Sequence, residues 1–530
     1  MNRVQVLDCT LRDGGYVNLW KFGYKKIQDI IDGLIKANID YIECGYLKSN
    51  VNELDYDVTL FKNETQLINV IKEHKKIKKL VAMIDFGQYN LAELNYIQSS
   101  FLFGIRLAFH KQDSKNIETS CKIIKEKGYH LFLQPIVTVN YTDEELLELI
   151  DFTNKIEPYA FYIVDSFGSL KKNDLQRMLY LIDNNLKQNV ILGFHSHNNL
   201  QMAYSNAQVV TQLQTNRKII IDSSIFGMGR GAGNLNTELF VEYLNDCYCG
   251  NYNLKPLLKV MDNTLNRIYS EKYWGYSLAH YLSAIYNCHP NYATYFSEKN
   301  SLFSDDIENI ISQIDDMHKE QFTEVYAEKL YLSYLSIQKG KNYVFENLAE
   351  LYKDKEVLML GPGKSSLEQR EQIDKLVTSD DIITVSINCI CEWLGDKIDY
   401  VFVSNKRRFE RIPLELYSKL ILTTNIECDK TLYKVDYENL LNHQKEVEDN
   451  AGMMFIKLLI ILKVKKVYIA GLDGFSLDMD DNYFDESLKF SLNKHRMQVI
   501  NKGLKNLIVE YRNFIEIEFV KEPIFLTEDL

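Results

Sequence analysis

The stretch Val4-Gln-Val-Leu-Asp-Cys-Thr10 is the first of eight strand-like runs, which recur about 30 residues apart through roughly the first 230 residues. Segments with helical spacing of apolar residues separate these runs, as in Tyr24–Ala37 and Glu144–Ile156. The eight runs are Val4–Thr10, Ile39–Tyr46, Lys79–Phe86, Phe103–His110, Tyr129–Val139, Ala160–Phe167, Asn189–Asn198 and Lys218–Phe226. Eight strands alternating with helices predict a (β/α)₈ TIM barrel, and the count of eight favours it over a doubly wound open sheet.

The alternation stops near residue 251, and the pattern becomes helical up to residue 339. The predicted helices are Leu254–Ser270, Leu278–Tyr286, Asp305–Lys319 and Phe322–Gln338. The stretch Lys339-Gly-Lys-Asn342 that follows is typical of a linker. We therefore predict a catalytic barrel domain at residues 1–250, a helical extension at 251–345 and a further domain at 353–530.

The last of these domains begins with the strand-like run Glu356–Leu360, which leads into Gly361-Pro-Gly-Lys-Ser-Ser366. Further predicted elements are strands at Ile382–Ile387, Tyr400–Val403, Leu420–Thr424 and Lys466–Ala470 and a helix at Ala451–Leu462. This pattern predicts a Rossmann-like α/β domain. A P-loop is excluded because the two glycines lack the four-residue spacing of that motif.

The composition is that of an ordinary globular protein, with 46% apolar and 25% charged residues. No apolar run approaches the roughly 18 residues of a membrane span, and no secretory signal follows Met1, so we expect a cytoplasmic protein. The net charge of −12 argues against nucleic-acid binding, and Lys406-Arg-Arg408 is interpreted as a solvated loop. Nine cysteines without a Cys-x-x-Cys pair predict free thiols and no structural zinc site.

The predicted chemistry lies where barrel strands end, because TIM-barrel active sites form at the carboxyl ends of the strands. Strand 1 ends in Asp8-Cys-Thr-Leu-Arg-Asp-Gly-Gly15, and strand 7 ends in Gly193-Phe-His-Ser-His-Asn198. His195 and His197 are two residues apart on a strand, so both project from one face. Together with Asp13 they offer two nitrogens and one carboxylate to a divalent metal. The His-x-His pattern alone is equally compatible with a structural role.

Three arginines, Arg12, Arg106 and Arg230, also fall beside predicted strand ends. A guanidinium suits an enolate oxygen or a carboxylate, which it can hold through two hydrogen bonds. Arg106 is therefore a predicted substrate-binding residue, whereas an ion-pair role for Arg230 is equally compatible with the sequence. The segment Asp222–Asn234 has four glycines in seven positions, which would let the backbone approach a ligand closely or only form a tight turn.

Four motifs in this order resemble the metal-dependent barrel superfamily of HMG-CoA lyase and isopropylmalate synthase. The motifs are Asp8-Cys-Thr-Leu-Arg-Asp-Gly-Gly15, Tyr162-Ile-Val-Asp-Ser166, His195-Ser-His-Asn-Asn199 and the Gly227–Asn234 loop. Within the superfamily, residues 1–245 are most similar to 4-hydroxy-2-oxovalerate aldolase. The resemblance implies Mn²⁺ or Mg²⁺ at Asp13, His195 and His197, with Asn234 as a further metal-shell position. It also implies that Arg12 stabilises a pyruvate enolate and that Ser166, beside Asp165, contacts the substrate.

The chain departs from the resemblance at the general base. The aldolases have a histidine three residues after the metal aspartate, whereas this chain has Tyr16, and a tyrosine of ordinary pKa near 10 is a poor base. The lyase branch has a cysteine in its glycine-rich loop, and this loop has none. Tyr276, in Trp274-Gly-Tyr-Ser277, resembles an active-site tyrosine of the aldolases' helical region. Tyr16 and Tyr276 are accordingly the remaining catalytic candidates of the barrel.

The last 180 or so residues resemble bacterial sialyltransferases that use CMP-sugar donors. The motifs are Gly361-Pro-Gly-Lys-Ser365, Ser386-Ile-Asn388, Val403-Ser-Asn405, Asn450-Ala-Gly452 and Val467-Tyr-Ile-Ala-Gly-Leu-Asp473. The resemblance implies a nucleotide or nucleotide-sugar held by Gly361, Gly363, Asn388 and Asn405, with His495 as the catalytic base. Pro362 stands where that family has a nucleotide-contacting asparagine.

The leading functional hypothesis is a metal-dependent aldolase that joins or separates a 2-oxo acid and an aldehyde through a pyruvate-type enolate. Its fused domain would be glycosyltransferase-like and act in surface-glycan biosynthesis. One alternative is an acyl-CoA-dependent Claisen condensing enzyme, and another is a barrel that is a non-catalytic scaffold. We also expect a homo-oligomer without a nucleic-acid partner.

Overall fold

The computed structural model describes residues 3–51, 57–72, 79–299, 302–337, 345–428, 430–431, 433–476, 482–485 and 494–527. The chain forms two compact units. The barrel unit comprises Met1–Thr294 and Ile314–Phe322, and the C-terminal unit comprises Tyr295–Gln313 and Thr323–Leu530. The predicted linker at residues 339–342 lies outside the described residues.

Eight parallel strands form a closed barrel in the first unit, as the sequence predicts. They are β1 (Val4–Asp8), β2 (Tyr41–Leu47), β4 (Leu80–Asp85), β5 (Gly104–Phe109), β6 (His130–Pro135), β7 (Ala160–Asp165), β8 (Ile191–Ser196) and β9 (Ile219–Ser223). β1 pairs with both β9 and β2, and this pairing closes the barrel. A short strand that the sequence pattern missed, β3 (Leu60–Phe61), pairs with the end of β2.

Amphipathic helices surround the barrel. The helices of this unit are α1 (Thr10–Asp13), α2 (Gly15–Asn18), α3 (Tyr24–Lys36), α4 (Glu64–Ile71), α5 (Glu118–Glu126), α6 (Asp143–Ile156), α7 (Lys172–Asn185), α8 (Ala203–Thr211), α9 (Thr237–Tyr248), α10 (Leu254–Val260), α11 (Asn266–Glu271), α12 (Leu278–Ile285), α13 (Pro290–Ser297, which ends in the other unit) and α15 (Asp316–Lys319). α3 shows the principle, because Ile27, Ile30, Ile31 and Leu34 recur at helical spacing and are all buried. Large side chains such as Tyr41, Phe132 and Tyr162 fill the interior.

The helical extension is more broken than its sequence pattern predicts. The predicted helix Leu254–Ser270 contains a π-helical segment at Met261–Leu265, and α13 was not predicted. The predicted helix Asp305–Lys319 is two helices, α14 (Ser304–Ile311) and α15, because residues 312–315 leave the helical path. The two compact units share the residues of this extension.

Seven parallel strands form an open sheet in the C-terminal unit. They are β10 (Glu356–Leu360), β11 (Ile382–Ile387), β12 (Tyr400–Val403), β13 (Leu420–Thr423), β14 (Tyr433–Val435), β15 (Lys466–Ala470) and β16 (Glu516–Phe519). Their order is β14-β13-β12-β11-β10-β15-β16, so the strand order reverses between β10 and β15. The edge strands β14 and β16 escaped the sequence analysis because they are short and half polar.

Three helices of the C-terminal unit precede β10 in the chain, six lie between its strands and one follows β16. They are α14, α16 (Glu324–Ile337), α17 (Phe345–Tyr352), α18 (Ser365–Glu368), α19 (Arg370–Leu376), α20 (Lys406–Phe409), α21 (Tyr437–Leu440), α22 (Ala451–Ile461), α23 (Lys494–Tyr511) and α24 (Ile524–Thr527). α22 is buried along most of its length, in keeping with its apolar sequence. Within the described residues, no helix combines the length and apolar character that crossing a membrane requires.

Candidate active site

Three predicted metal ligands meet at the carboxyl ends of the barrel strands. Asp13 ends the short helix α1 directly after β1, whereas His195 lies in β8 and His197 just beyond it. One ligand atom from each residue lies within 4.8 Å of the others, and all three side chains are buried. Two imidazole nitrogens and one carboxylate form a donor set that suits a divalent transition metal.

The surroundings of the cluster leave room for a cation. Asn234 Nδ2 donates to Asp13 Oδ2 over 2.6 Å, whereas Asn234 Oδ1 is buried and has no hydrogen-bond partner in the described structure. A Cβ atom at Gly229 would lie 2.6 Å from Asp13 Oδ2, so only glycine fits beside the cluster. A buried oxygen without a partner, on a residue that contacts Asp13, fits a metal ion with Asn234 in its shell.

The protonation state of His197 suits metal binding. Its Nδ1 lies 3.2 Å from the carbonyl oxygen of Arg230, which accepts the Nδ1 proton, and its Nε2 lies 3.9 Å from Asp13 Oδ2. Burial lowers the pKa of His197 to about 3, and the ring is therefore neutral at pH 7. Its unprotonated Nε2 thus faces the cluster.

His195 is held from below by an ionic chain that crosses the barrel. His195 Nδ1 lies 3.0 Å from Asp222 Oδ2, which also pairs with Arg106 Nη2. Arg106 Nη1 lies 2.7 Å from Glu43 Oε2, and that oxygen accepts from Arg12 Nε over 2.8 Å. The alternating charges of Arg12, Glu43, Arg106 and Asp222 balance one another in the barrel interior, and this series ends at the His195 ring.

These ion pairs change the interpretation of Arg106, which the sequence suggested as a substrate-binding residue. Arg106 is fully buried, and its guanidinium is held by Glu43 and Asp222 beneath the cluster. The structure therefore places it as a support for His195 rather than at the surface of the site.

Arg12, by contrast, keeps one nitrogen for a ligand. Nη1 donates to Asp13 Oδ1 over 2.5 Å and Nε donates to Glu43, while Nη2 makes no hydrogen bond to any described residue. Burial would raise the pKa of Asp13, but the charge of Arg12 and the nearby His197 lower it well below its usual range. The carboxylate is thus ionised whenever the protein is folded near pH 7.

Tyr16, the residue at the family's base position, lies beside this group. Its hydroxyl is 3.3 Å from that of Tyr46, its ring packs edge-on against Trp20, and the Arg230 guanidinium lies 5.2 Å above the ring. The Tyr16 residue is 36% exposed, and its partial burial raises the pKa above the usual value of 10, so the hydroxyl stays protonated at neutral pH. It can donate a hydrogen bond but does not fit the role of a general base.

Ser166 and Asp165 organise the loop after β7. Asp165 accepts hydrogen bonds from the backbone of Ser169 and Leu170, and burial raises its pKa to about 7. Ser166 Oγ accepts from the backbone N–H of Val137 over 3.0 Å. Tyr276 is about half exposed, and the structure records no contact between it and the described metal cluster.

Sequence reasoning missed four residues around this site: Glu43, Asp85, Asp222 and His289. Glu43 and Asp222 carried a signal, because each is an acidic residue within an apolar strand run. Asp85 ends β4, and burial raises its pKa above the usual value despite the nearby charge of Arg12. His289 comes from the helical extension, where no pattern marked it.

The C-terminal unit has a cavity of about 410 Å³ at the carboxyl ends of its strands. Gly361 and Gly363 follow β10, Asn388 follows β11, and Asn405 follows β12, and all four predicted residues line the cavity. The loop after β15 lines it as well, and so the cavity lies where the strand order reverses. Ligands bind at this position in many open parallel sheets.

Three details of this cavity differ from the sequence interpretation. Asp473 accepts hydrogen bonds from the backbone N–H and hydroxyl of Ser365, and so a carboxylate already occupies the N-terminus of α18. Arg407 and Arg408, interpreted as parts of a solvated loop, line the cavity. His495 is exposed at the start of α23 and is not among the residues that line the cavity. Two further arginines, Arg411 and Arg496, do line it.

Residues 3–262 match the family model described as HMGL-like. The N-terminal half carries an HMGL-like domain. This HMGL-like domain places the chain among enzymes of the metal-dependent aldolase and lyase superfamily. The chain is 26% identical over 243 residues to a 4-hydroxy-2-oxovalerate aldolase of Geobacillus genomosp. 3, covering 46% of this chain and 70% of that protein. It is 25% identical over 264 residues to the enzyme of the same name from Pseudoalteromonas translucida, covering 49% and 74%.

A solved structure similar to the HMGL-like domain is the N-terminal domain of a candidate aldolase from Bacteroides vulgatus. The two share 27% sequence identity with a TM-score of 0.48, covering 55% of this chain and 96% of that one.

Proposed function

We propose that the HMGL-like domain is a metal-dependent aldolase acting on a 2-oxo acid through a pyruvate-type enolate. The observation that carries the proposal is the buried cluster of Asp13, His195 and His197 beside Arg12, whose Nη1 donates to Asp13 and whose Nε donates to Glu43. The curated relatives named 4-hydroxy-2-oxovalerate aldolase support the reaction class.

Each group has a separate part in this proposal. Asp13, His195 and His197, with Asn234, would hold a divalent cation, Mn²⁺ or Mg²⁺, which when bound polarises a substrate carbonyl oxygen. Arg12 Nη2 donates to the oxygen on which negative charge develops as the enolate forms. The hydroxyl of Tyr16 stays protonated and donates a hydrogen bond near this oxygen, while the Ser166 loop borders the same space.

Deuterium exchange at the methyl group of pyruvate tests the proposal without knowledge of the aldehyde. We expect the full-length protein with Mn²⁺ to accelerate exchange, and His195→Ala to lose both the bound metal and the exchange. Metal content by mass spectrometry and exchange by proton NMR check these two losses separately. Equal metal content in the wild type and in His195→Ala would contradict the site, and metal binding without exchange would contradict the enolate chemistry.

For the C-terminal unit, we propose a Rossmann-like domain at residues 353–530 that binds a nucleotide or nucleotide-sugar and acts in sugar transfer during surface-glycan assembly. The cavity at the strand-order reversal supports binding, since Gly361, Gly363, Asn388 and Asn405 all line it. The arginines of the cavity provide positive charge for a phosphate. The proposal includes a transfer role for His495, which is exposed at the start of α23.

Calorimetric titration of the full chain with CMP, UMP and their sugar conjugates tests binding. We expect saturable heat with at least one nucleotide and its loss in Asn388→Ala. The absence of heat at millimolar nucleotide would contradict the binding proposal and leave the aldolase proposal intact. We further propose that the protein is a cytoplasmic homo-oligomer, with the barrel at 1–250 and the helical extension at 251–345.

A further inference from the structure

An arginine and an imidazole face each other at the mouth of the barrel. Arg230 lies in the glycine-rich loop after β9, and His289 directly precedes α13. Arg230 Nη1 lies 3.3 Å from His289 Nε2. The backbone carbonyl of Arg230 accepts a hydrogen bond from His197, a member of the cluster. Arg230 therefore contacts both His289 and the cluster.

Donor groups approach both ring nitrogens of His289, and we assign the ring proton to Nε2 because the backbone N–H of Asn291 occupies Nδ1. The backbone N–H of Asn291 donates to Nδ1 over 3.2 Å and occupies the lone pair of a neutral ring. Burial and the positive charge of Arg230, together with His197 and His110, lower the pKa of His289 well below its usual value. In this tautomer the ring is neutral, and its Nε2–H faces the Arg230 guanidinium, which has no acceptor atom.

Arg230 is short of acceptors too. Its Nε is buried without a hydrogen-bond partner in the described part of the chain, and Nη2 reaches only the carbonyl of Ser166 over 3.3 Å. The Tyr16 ring packs against the guanidinium at 5.2 Å and fixes its position. Two positioned N–H groups that share no acceptor are the arrangement that receives an oxygen from outside the protein.

We propose that Arg230 Nη1 and His289 Nε2 form a two-donor site for the carbonyl oxygen of the acceptor aldehyde. This inference rests on the proposed aldolase function and names the site of its second substrate. In the condensation, the enolate carbon forms a bond to the aldehyde carbon, and the carbonyl π pair moves to the oxygen. Both donors hydrogen-bond to the resulting alkoxide, which then takes a proton from water.

The test compares two reactions of the full-length, Mn²⁺-loaded protein. Exchange at the pyruvate methyl needs only the enolate half of the site, whereas condensation of pyruvate with propanal needs the aldehyde site as well. We expect His289→Ala to lower kcat/KM for propanal by about 10²- to 10³-fold, the scale of losing one oxyanion donor. Exchange should stay within about threefold of the wild type, since Arg12 and the metal cluster remain.

Two further variants separate donor loss from structural damage. His289→Gln keeps a side-chain N–H and should recover about tenfold of the lost condensation rate. His280→Ala is the matched control, because His280 lies in the neighbouring helix α12 and the structure records no contact between it and Arg230. It should leave both reactions within about threefold of the wild type. Wild-type condensation in His289→Ala, or a parallel fall of exchange, would overturn the proposal.

A separate measurement applies even if the wild type shows no exchange and the proposed function fails. The chain has 10 histidines, so nitrogen NMR of histidine-labelled protein is tractable, and His289→Gln identifies the His289 signals. We expect a neutral, Nε2-protonated ring whose Nε2 signal moves saturably when formate is added as a stand-in oxyanion. An unchanged signal, or a ring protonated on Nδ1, would overturn the two-donor site.

Discussion

The metal cluster of the barrel and the cavity of the C-terminal unit both lie at the carboxyl ends of parallel strands, but they are built differently. In the barrel, each charged side chain is held by another, and the ligand His195 ends a chain of alternating charges. The cavity is instead shaped by glycine loops so closely packed that a Cβ at Gly363 would lie 2.5 Å from Asp473 Oδ2. The cluster in the barrel therefore depends on ion pairs between side chains, whereas the cavity depends on glycines, which have no side chain.

The largest effect that would test the paired construction is expected for Arg12→Ala. Exchange at the pyruvate methyl should fall by about 10²- to 10³-fold, because one electrostatic stabiliser of the enolate is lost. Asp13 and Glu43 would lose a buried partner, so the free energy of unfolding should also fall, by about 3 kcal/mol. Denaturant unfolding and exchange kinetics measure the two losses. Arg12→Lys is the control, and an Arg12→Ala protein of wild-type stability would show that the pairing is not structural.

A smaller effect, on metal affinity, is expected for Asp222, the carboxylate that contacts His195. Asp222→Asn should lower metal affinity by about 10- to 100-fold, since His195 loses the carboxylate that orients its ring. Competition with a chelator measures the affinity. Asp183→Asn is a useful control, because Asp183 pairs with Arg217 away from the cluster. Equal affinities in the two variants would mean that the chain beneath the cluster does not position His195.

Gly363→Ala tests the cavity of the C-terminal unit, which Gly363 lines. The added methyl group would displace the Asp473 carboxylate, which holds Ser365, so nucleotide affinity should fall by about tenfold or more. Calorimetric titration measures this change, and pyruvate exchange in the same protein serves as the internal control. Exchange should be unchanged, and a loss of exchange would show that the two sites are not built independently.

The smallest effect is expected for Tyr16→Phe. Because burial raises the pKa of Tyr16 above 10, its hydroxyl does not ionise between pH 6 and 9 in the native protein. The pH dependence of exchange should therefore keep its shape in the variant, with the rate reduced by less than about tenfold. A rising limb between pH 6 and 9 that disappears in Tyr16→Phe would instead identify Tyr16 as the base.

The barrel and the cluster of Asp13, His195 and His197 could be predicted because both rest on patterns at the ends of single strands. Eight apolar runs at regular spacing define the strands, and His195 and His197 are close in sequence as well as in space. Glu43 and Asp222 could not be assigned, because their partner Arg106 comes from a third strand. Which arginine lies beside the cluster and which lies beneath it depends on the register of the barrel, and no single segment contains that information.

Residues brought in by the helical extension were harder still. His289 lies between two helices whose sequence gave no sign of the barrel mouth, and its contact with Arg230 spans 59 positions. In the C-terminal unit, the four predicted lining residues were found because each follows a strand. Arg407 and Arg408 were interpreted as parts of a solvated loop, whereas they lie on the short helix α20 and line the cavity. A short run of positive charge has the same sequence pattern whether it lines a cavity or faces solvent.

The alternating chain from Arg12 to His195 has a consequence for how this site can change. Replacing a single charged member removes one ionic partner of a buried neighbour of opposite sign, so single substitutions should be harmful at each of the charged positions. Replacing an adjacent pair, such as Glu43 and Arg106, with apolar residues of similar volume removes both charges at once. In a library of double variants, tolerated combinations should therefore fall on neighbouring members, and the site would change in coupled steps rather than one residue at a time.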